Sequence, residues 1–403
     1  MKNVFLSLFI IANCVFTYAQ EYLQTCLRLP DTGQSKSFTN TPGEDSDYQI
    51  NIPFYIDNGD GTITDTVTGL MWQKVDFGDI SFENASTYCD TLTLAGYKDW
   101  RLPNAHESFT IINLDVTNPA INKLYFPLSA AEYWWSSTKQ YNDASKIWVT
   151  NAGGGIGNHL KTESVSAGGT KKFYVRAVRN IHQPIVLTNR YIDNNDGTIT
   201  DLATNLTWLK TPTTQVYTWE EALNYAENLS FASNSDWRLP SIKELESIRN
   251  DFTSIPAVDQ SKFQIPATIK KLWSSTSLII KDNSKSWFWD TQYGITTYEM
   301  KTVPLNILCV SSYKPKSTLS ITENNLNGFK VVFNQVLNEL NIHLLGSTNG
   351  KVEIYDMLGK LIIEENLQGK ETKISTQKIK PGNYIVTIQP ETGDKLSQKI
   401  IVY

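Results

Sequence analysis

Tyr55 to Lys74 reads YIDNGDGTITDTVTGLMWQK, and Tyr191 to Lys210 reads YIDNNDGTITDLATNLTWLK, an offset of 136 positions. The match continues outward. Asp99-Trp100-Arg101-Leu102-Pro103 returns as Asp236-Trp237-Arg238-Leu239-Pro240 at offset 137, Trp135-Ser136-Ser137-Thr138 as Trp273-Ser274-Ser275-Thr276 at offset 138, and Trp148 as Trp287 at offset 139. Blocks kept in order with a slowly drifting offset mean a duplicated domain with small loop changes, not a short-period solenoid.

Each block has a local reading. Asp60-Gly61 and Asp196-Gly197 are turn dipeptides, and the Thr-Ile-Thr after each favours a strand. Gly69 and Asn205 share one place in a second turn, and both residue types tolerate positive φ. Thr218-Trp219-Glu220-Glu221 and Ser241-Ile242-Lys243-Glu244 are capping boxes that predict two helices in the second copy. Ser81 to Leu94 and Asn104-Ala105-His106-Glu107 predict the same pair in the first. Short strands and loops rich in Trp, Ser, Gly and Asn complete each copy.

The bulk numbers fit exported globular domains. The chain has 403 residues, enough for two to four domains, and its 40% hydrophobic content is enough to bury cores. Residues 21–180 carry 13 basic against 18 acidic side chains, residues 181–312 11 against 14, and residues 313–403 11 against 9. Without a basic run, nucleic acid and heavily sulfated glycans are not expected partners. Lys2, the apolar run Val4 to Phe16 and the small residue Ala19 read as a signal peptide over 1–19. No later apolar run is long enough for a membrane span, so none is expected in the mature chain. Cys14 leaves with the signal, and Cys26, Cys89 and Cys309 remain.

The repeated blocks resemble the module named after the C-terminal domain of the Legionella collagen-like protein. The Arg-Leu-Pro-x-x-x-Glu arrangement is also similar to the formylglycine-generating-enzyme and C-type-lectin-like group. The resemblance implies an α+β fold: two C-type-lectin-like modules, at 20–180 and 181–312, each with two helices, small antiparallel sheets and long loops. Members commonly place one Cys in the first helix and one in the final strand. Here the first copy has Cys89 with Ala177, and the second has Ala226 with Cys309. The resemblance therefore implies no bridge within a module, and leaves Cys89–Cys309, Cys26–Cys89 and free thiols open.

After a polar linker at 313–318 the composition changes, with neither Trp nor Cys. Val352 to Lys360, Leu361-Ile362-Ile363, Tyr384 to Ile388 and Lys399 to Tyr403 read as short strands, with a turn at Pro381-Gly382, and predict a small all-β sandwich over 319–403. The series Ile-Tyr-Asp-Met-Leu-Gly-Lys, Pro-Gly-Asn-Tyr-Ile-Val and a terminal apolar strand resembles the C-terminal sorting domain of the type IX secretion system of Bacteroidetes. It implies that residues 319–403 engage that machinery and that the protein is secreted or attached to the outer surface.

Candidate chemistry is sparse. Asp57, Asp60, Asp193 and Asp196 look like the start of a calcium loop, but the spacing is one residue short and no bidentate Glu follows, so a hairpin turn is favoured and no cofactor is expected. Trp134, Trp287 and Trp289 are the candidate ligand-stacking rings; Trp287 and Trp289 share one face of a strand, with Phe288 on the other. Trp100 and Trp237 read as core anchors. Arg101 and Arg238 read as structural ion pairs with Glu107 and Glu244. The four histidines do not recur between copies, and no GxSxG, HExxH or P-loop pattern occurs, so an enzyme is not expected. The leading expectation is an adhesin-like binding protein for a glycan or protein. A ligand-free envelope protein and an enzyme on a formylglycine-generating-enzyme-like fold are the alternatives.

Overall fold

The Asp-Gly turns form as their composition asks. Gly61 and Gly197 adopt φ of +89° and +88°, and each turn joins two antiparallel strands. The computed structural model describes residues 22–312, apart from 131, 166–168, 170 and 280–282. It also describes 329–402, apart from 335–338, 345–348, 357–358, 368, 370, 377–378, 380–381 and 392–394. The signal segment 1–19 and the linker 313–318 lie outside the described residues.

The first repeat runs β1 (Tyr22–Gln24), β2 (Tyr55–Asp57), β3 (Thr62–Asp65), β4 (Leu70–Gln73), α1 (Phe82–Thr91), α2 (Ala105–Thr110), β5 (Tyr133–Gln140), β6 (Asp143–Asn151), β7 (Ile156–Leu160), β8 (Phe173–Tyr174) and β9 (Val178–Asn180). One sheet has the order β2-β3-β4-β9 and the other β7-β6-β5-β8. The second repeat follows with β10 (Ile185–Leu187), β11 (Tyr191–Asp193), β12 (Thr198–Asp201), β13 (Leu206–Leu209), α3 (Trp219–Glu227), α4 (Ile242–Ser247), β14 (Lys271–Ser277), β15 (Lys285–Asp290), β16 (Thr296–Met300) and β17 (Val310–Ser312). Its sheets, β11-β12-β13-β17 and β14-β15-β16, repeat the plan, while β1 pairs with β10 across the two copies.

The expected α+β architecture of helix-bearing C-type-lectin-like modules is corrected. Strands take 37% of the described residues and helices 11%, so the described chain is mainly β, built from several small sheets. The capping boxes are present at Asn104–Glu107 and Ser241–Glu244. A cap starts a helix without setting its length, however, and α2 and α4 each stop after six residues. Helices this short depend on tertiary packing and cannot form a layer of their own.

Through Lys314 the two repeats make one compact unit. A single apolar core draws Phe109, Ile112, Leu114, Trp148 and Ile156 from the first repeat and Ile199, Trp208, Leu245, Trp287 and Trp289 from the second. The copies meet at α2 and α4 and at β7 and β16, where the Ile156 amide donates to Thr296 Oγ1 at 2.8 Å. His106 and Lys243 occupy equivalent places at offset 137, and each reaches into the other copy. Lys243 Nζ donates at 2.8 Å to the carbonyls of Asp31 and Thr110. Residues 22–51 form an arm that crosses from the first repeat to the second.

The tail from Pro315 is a separate unit. Strands β18 (Phe329–Asn334), β19 (Glu339–Leu344), β20 (Gly350–Asp356), β21 (Leu361–Leu367), β22 (Glu371–Ser375), β23 (Gly382–Pro390) and β24 (Leu396–Val402) form antiparallel sheets in the orders β18-β19-β22 and β21-β20-β23-β24. Leu340, Ile342, Val352, Ile354, Val386 and Ile388 fill its core.

Candidate functional site

The candidate stacking rings are buried. Trp134, Trp287 and Trp289 are 6%, 4% and 0% exposed. Trp134 Nε1 donates to Asp76 Oδ2 at 2.9 Å, and Trp289 Nε1 donates to Glu246 Oε2 at 3.2 Å. Strand β15 is covered on both faces, with Trp287 and Trp289 in the core shared by the repeats and Phe288 in the core behind α3. These three rings therefore form no surface platform, which corrects their assignment as ligand contacts.

The Trp-Arg pair of each repeat is structural framework. Trp100 Nε1 donates to Leu94 O at 3.2 Å, and Trp237 Nε1 donates to Phe231 O at 3.1 Å. Arg101 grips both oxygens of Glu107 at 2.7 Å, and Arg238 grips Glu244 at 2.7 and 2.6 Å, the two-point geometry at which arginine excels. The same glutamates cap α2 and α4, so one carboxylate fixes both the strand and the helix start.

The turn aspartates are occupied by their own turns. Asp57 accepts from the Gly59 amide and pairs with Lys74 at 2.6 Å; Asp60 accepts from the amide and hydroxyl of Thr62. Asp193 and Asp196 repeat this with Asn195, Lys210 and Thr198. Lys74 holds the Asp57 carboxyl below its ordinary range, and Lys210 does the same for Asp193. Among the described residues, no group of three His, Cys, Asp or Glu side chains is placed to hold a metal ion. Cys26, Cys89 and Cys309 are unpaired. Cys89 and Cys309 lie in different cores, and burial pushes both thiols up to about 12.

Two features were not legible one residue at a time. The first is a groove of about 430 Å³ between the arm and α3, lined by Thr39, Asn40, Thr41, Asp47, Tyr48 and Glu227 among others. Tyr48 Oη donates to Glu227 Oε1 at 2.6 Å, and Asp47 accepts from the Gly43 amide at 2.9 Å. Deeper along the arm, Asp45 accepts from Thr32 and Thr276, and burial pushes its carboxyl up to about 7. The second is a charged cluster between the repeats. Arg249 pairs with Glu246 at 2.6 Å and with Asp251, and stacks 4.3 Å over Trp148. Burial pushes Glu246 up to about 7, and burial with Arg249 pushes His106 down to about 3. At offset 137 the first repeat has Phe109 and Ile112 where the second has Glu246 and Arg249. Reading the two copies position by position would have exposed this exchange.

The Lcl C-terminal domain model matches residues 61–179 and again 197–311, together more than half of the chain. The chain belongs to the Lcl C-terminal domain family. The two Lcl C-terminal domain copies coincide with the two structural repeats described above. A secretion system C-terminal sorting domain matches residues 334–403, which marks this Lcl-type chain as secreted or attached to the outer surface. No curated protein matches the chain. Among the described residues, no helix is long and apolar enough to cross a membrane.

Proposed function

We propose that the protein is an adhesin-like binding protein, exported by its sorting tail, that recognises a glycan or protein ligand without catalysing a reaction. The observation that carries this reading is the groove between the arm and α3. Its size falls within the usual range of small-ligand sites, and hydroxyl, amide and carboxylate groups converge there beside Tyr48. Its lining carries acidic but no basic side chains, which favours neutral or cationic ligands over sulfated ones. The buried, protonated thiols of Cys89 and Cys309 are poor nucleophiles, in keeping with a non-enzymatic role.

The test is binding of the mature chain to glycan and extracellular-protein arrays, with calcium and with chelator. Saturable binding that falls in Asn40→Ala and Thr41→Ala variants is the expected result. Silence across both arrays would favour a ligand-free envelope protein.

A further inference from the structure

Most hydrogen-bond donors that line the groove between the arm and α3 are spent inside the protein. Ser37 Oγ donates to Thr39 O at 2.7 Å, Thr39 Oγ1 to Glu220 Oε1 at 2.8 Å, and Tyr48 Oη to Glu227 Oε1 at 2.6 Å. Burial and the Glu227 carboxylate push the Tyr48 hydroxyl well above its ordinary range, so its proton stays in that bond. The Gly43 amide donates to Asp47 Oδ2 at 2.9 Å, and both oxygens of Glu44, 1% exposed, accept from the Phe38 amide. Asp47 Oδ1 and Glu227 Oε2 are left without a hydrogen-bond partner among the described residues. Of the lining side chains, only Asn40 and Thr41 keep donors to offer.

The acceptors are held in place before any ligand arrives. Tyr48 is fixed at both ends, by its bond to Glu227 and by Arg238, which stands 5.2 Å over its ring. Gly43 has φ of +101°, and a Cβ there would stand 2.8 Å from Glu227 Cγ, so glycine lets the arm approach α3 this closely. Such fixed groups lose little freedom on binding. The arrangement occurs once per chain. Asp90 takes the place of Glu227 in the first repeat at offset 137, but it stands exposed. The second copy has no arm to lay beside it, because only Ile181 to Arg190 separate β9 from β11.

We infer that the groove is a subsite for neutral sugar residues with free hydroxyls, one hydroxyl donating to Asp47 Oδ1, another to Glu227 Oε2, and sugar oxygens accepting from Asn40 and Thr41. The inference rests on the reading of this groove as the ligand site and narrows it from any glycan or protein to one chemistry. A hydroxyl can turn to donate at one point and accept at another, which suits a lining rich in acceptors with two donors beside them. An ammonium group only donates, and leaves Asn40 and Thr41 unanswered. Peptide carbonyls only accept, and would face the free carboxylate oxygens. Sulfate and phosphate meet acidic side chains with no basic one among the lining residues. A volume of about 430 Å³ is also larger than a single cationic group needs.

The experiment is NMR titration of the mature chain with the methyl glycosides of mannose, galactose and glucose, with their fully O-methylated forms, and with lysine amide. Saturable shifts at 37–48 and 227 are expected from at least one free glycoside and from none of the O-methylated forms, with no matching shifts around Asp90. Glu227→Gln keeps an acceptor for Tyr48 but turns the free oxygen into a donor, and should weaken binding about tenfold. Asp47→Asn makes the same exchange at an exposed position, and keeps the test open if the first variant fails to fold. The inference is overturned if no glycoside shifts the groove, if the O-methylated forms shift it equally, if Asp90 responds as strongly, or if the variants bind like the parent. Shifts from lysine amide alone would also overturn it, while leaving the groove as a ligand site. Array ligands that bind without shifting any groove residue would remove the groove reading itself.

Discussion

In the second repeat the aspartate that heads the turn before β13 has a cation. In the first repeat its equivalent has none. Arg190 donates to Asp201 Oδ1 at 2.9 Å and to Oδ2 at 2.7 Å, with both side chains buried. Asp65 is equally buried, and its Oδ1 accepts from the amides of Val67 and Thr68, but its Oδ2 has no partner among the described residues. The residue equivalent to Arg190 is Phe54, which is 61% exposed. Burial accordingly raises the Asp65 carboxyl above its ordinary range. Turn geometry survives either solution, which teaches that the backbone amides hold the turn and the ion pair is an addition to it.

That difference can be broken from the second repeat. Arg190→Ala would strand Asp201 in the interior, and removing one partner of a buried pair costs about 3–5 kcal/mol. Urea unfolding of the mature chain should show a loss of that order in the unit that holds both repeats. A loss below about 1 kcal/mol would mean that Asp201, like Asp65, tolerates solitude.

The next effect is pH dependence. Asp45 and Glu246, both buried and both at about 7, belong to arm and junction features that lack an equivalent in the other copy. Their carboxyls keep a proton in the folded chain that the unfolded chain releases near pH 4. The unfolded state therefore binds fewer protons between about pH 4 and pH 7, and stability falls as pH rises through that window, by a few kcal/mol in all. Above about pH 7 this contribution levels off. Denaturant midpoints measured from pH 4 to pH 8 check it, and Asp45→Asn should flatten the slope. Asp31, Glu244 and Lys243 lie close enough to Asp45 to modulate its share.

A smaller contrast separates the two Arg-Glu pairs. The Arg238 side chain is 5% exposed and Arg101 33%. Arg238→Ala should therefore cost more than Arg101→Ala, by about 1–2 kcal/mol in equilibrium unfolding. The smallest expected effect is a gain. Phe54→Arg would offer Asp65 the partner that Asp201 has, and should stabilise the chain by about 1 kcal/mol at pH 7, fading as pH falls and Asp65 protonates. Thermal melts of parent and variant at pH 7 and pH 4 would show it.

Much of the framework was legible in the sequence because its signals are local. The Asp-Gly turns, the helix caps at Asn104 and Ser241 and the Arg-Glu pairs each need only residues within six positions of one another. What was misread depends on distant chain. The rings of Trp287 and Trp289 share a strand face as alternation requires, but the other repeat covers that face. Helix starts were readable and helix ends were not, since packing of the neighbouring sheets decides where α2 and α4 stop. The arm carries no periodic pattern, so neither the groove nor the arm's contacts with the second repeat announced themselves.

The arm also sets an order of events. Gln34 bonds to Ser277 across 243 residues, and Asp45 to Thr276 across 231. Contacts of such separation form late, after the cost of closing a long loop has been met. An N-terminal segment is synthesised first and cannot settle until β14 has been made. During synthesis the leading part of the protein must therefore stay unfinished until most of the second repeat has been made, which leaves an interval in which a chaperone or protease would find the arm free.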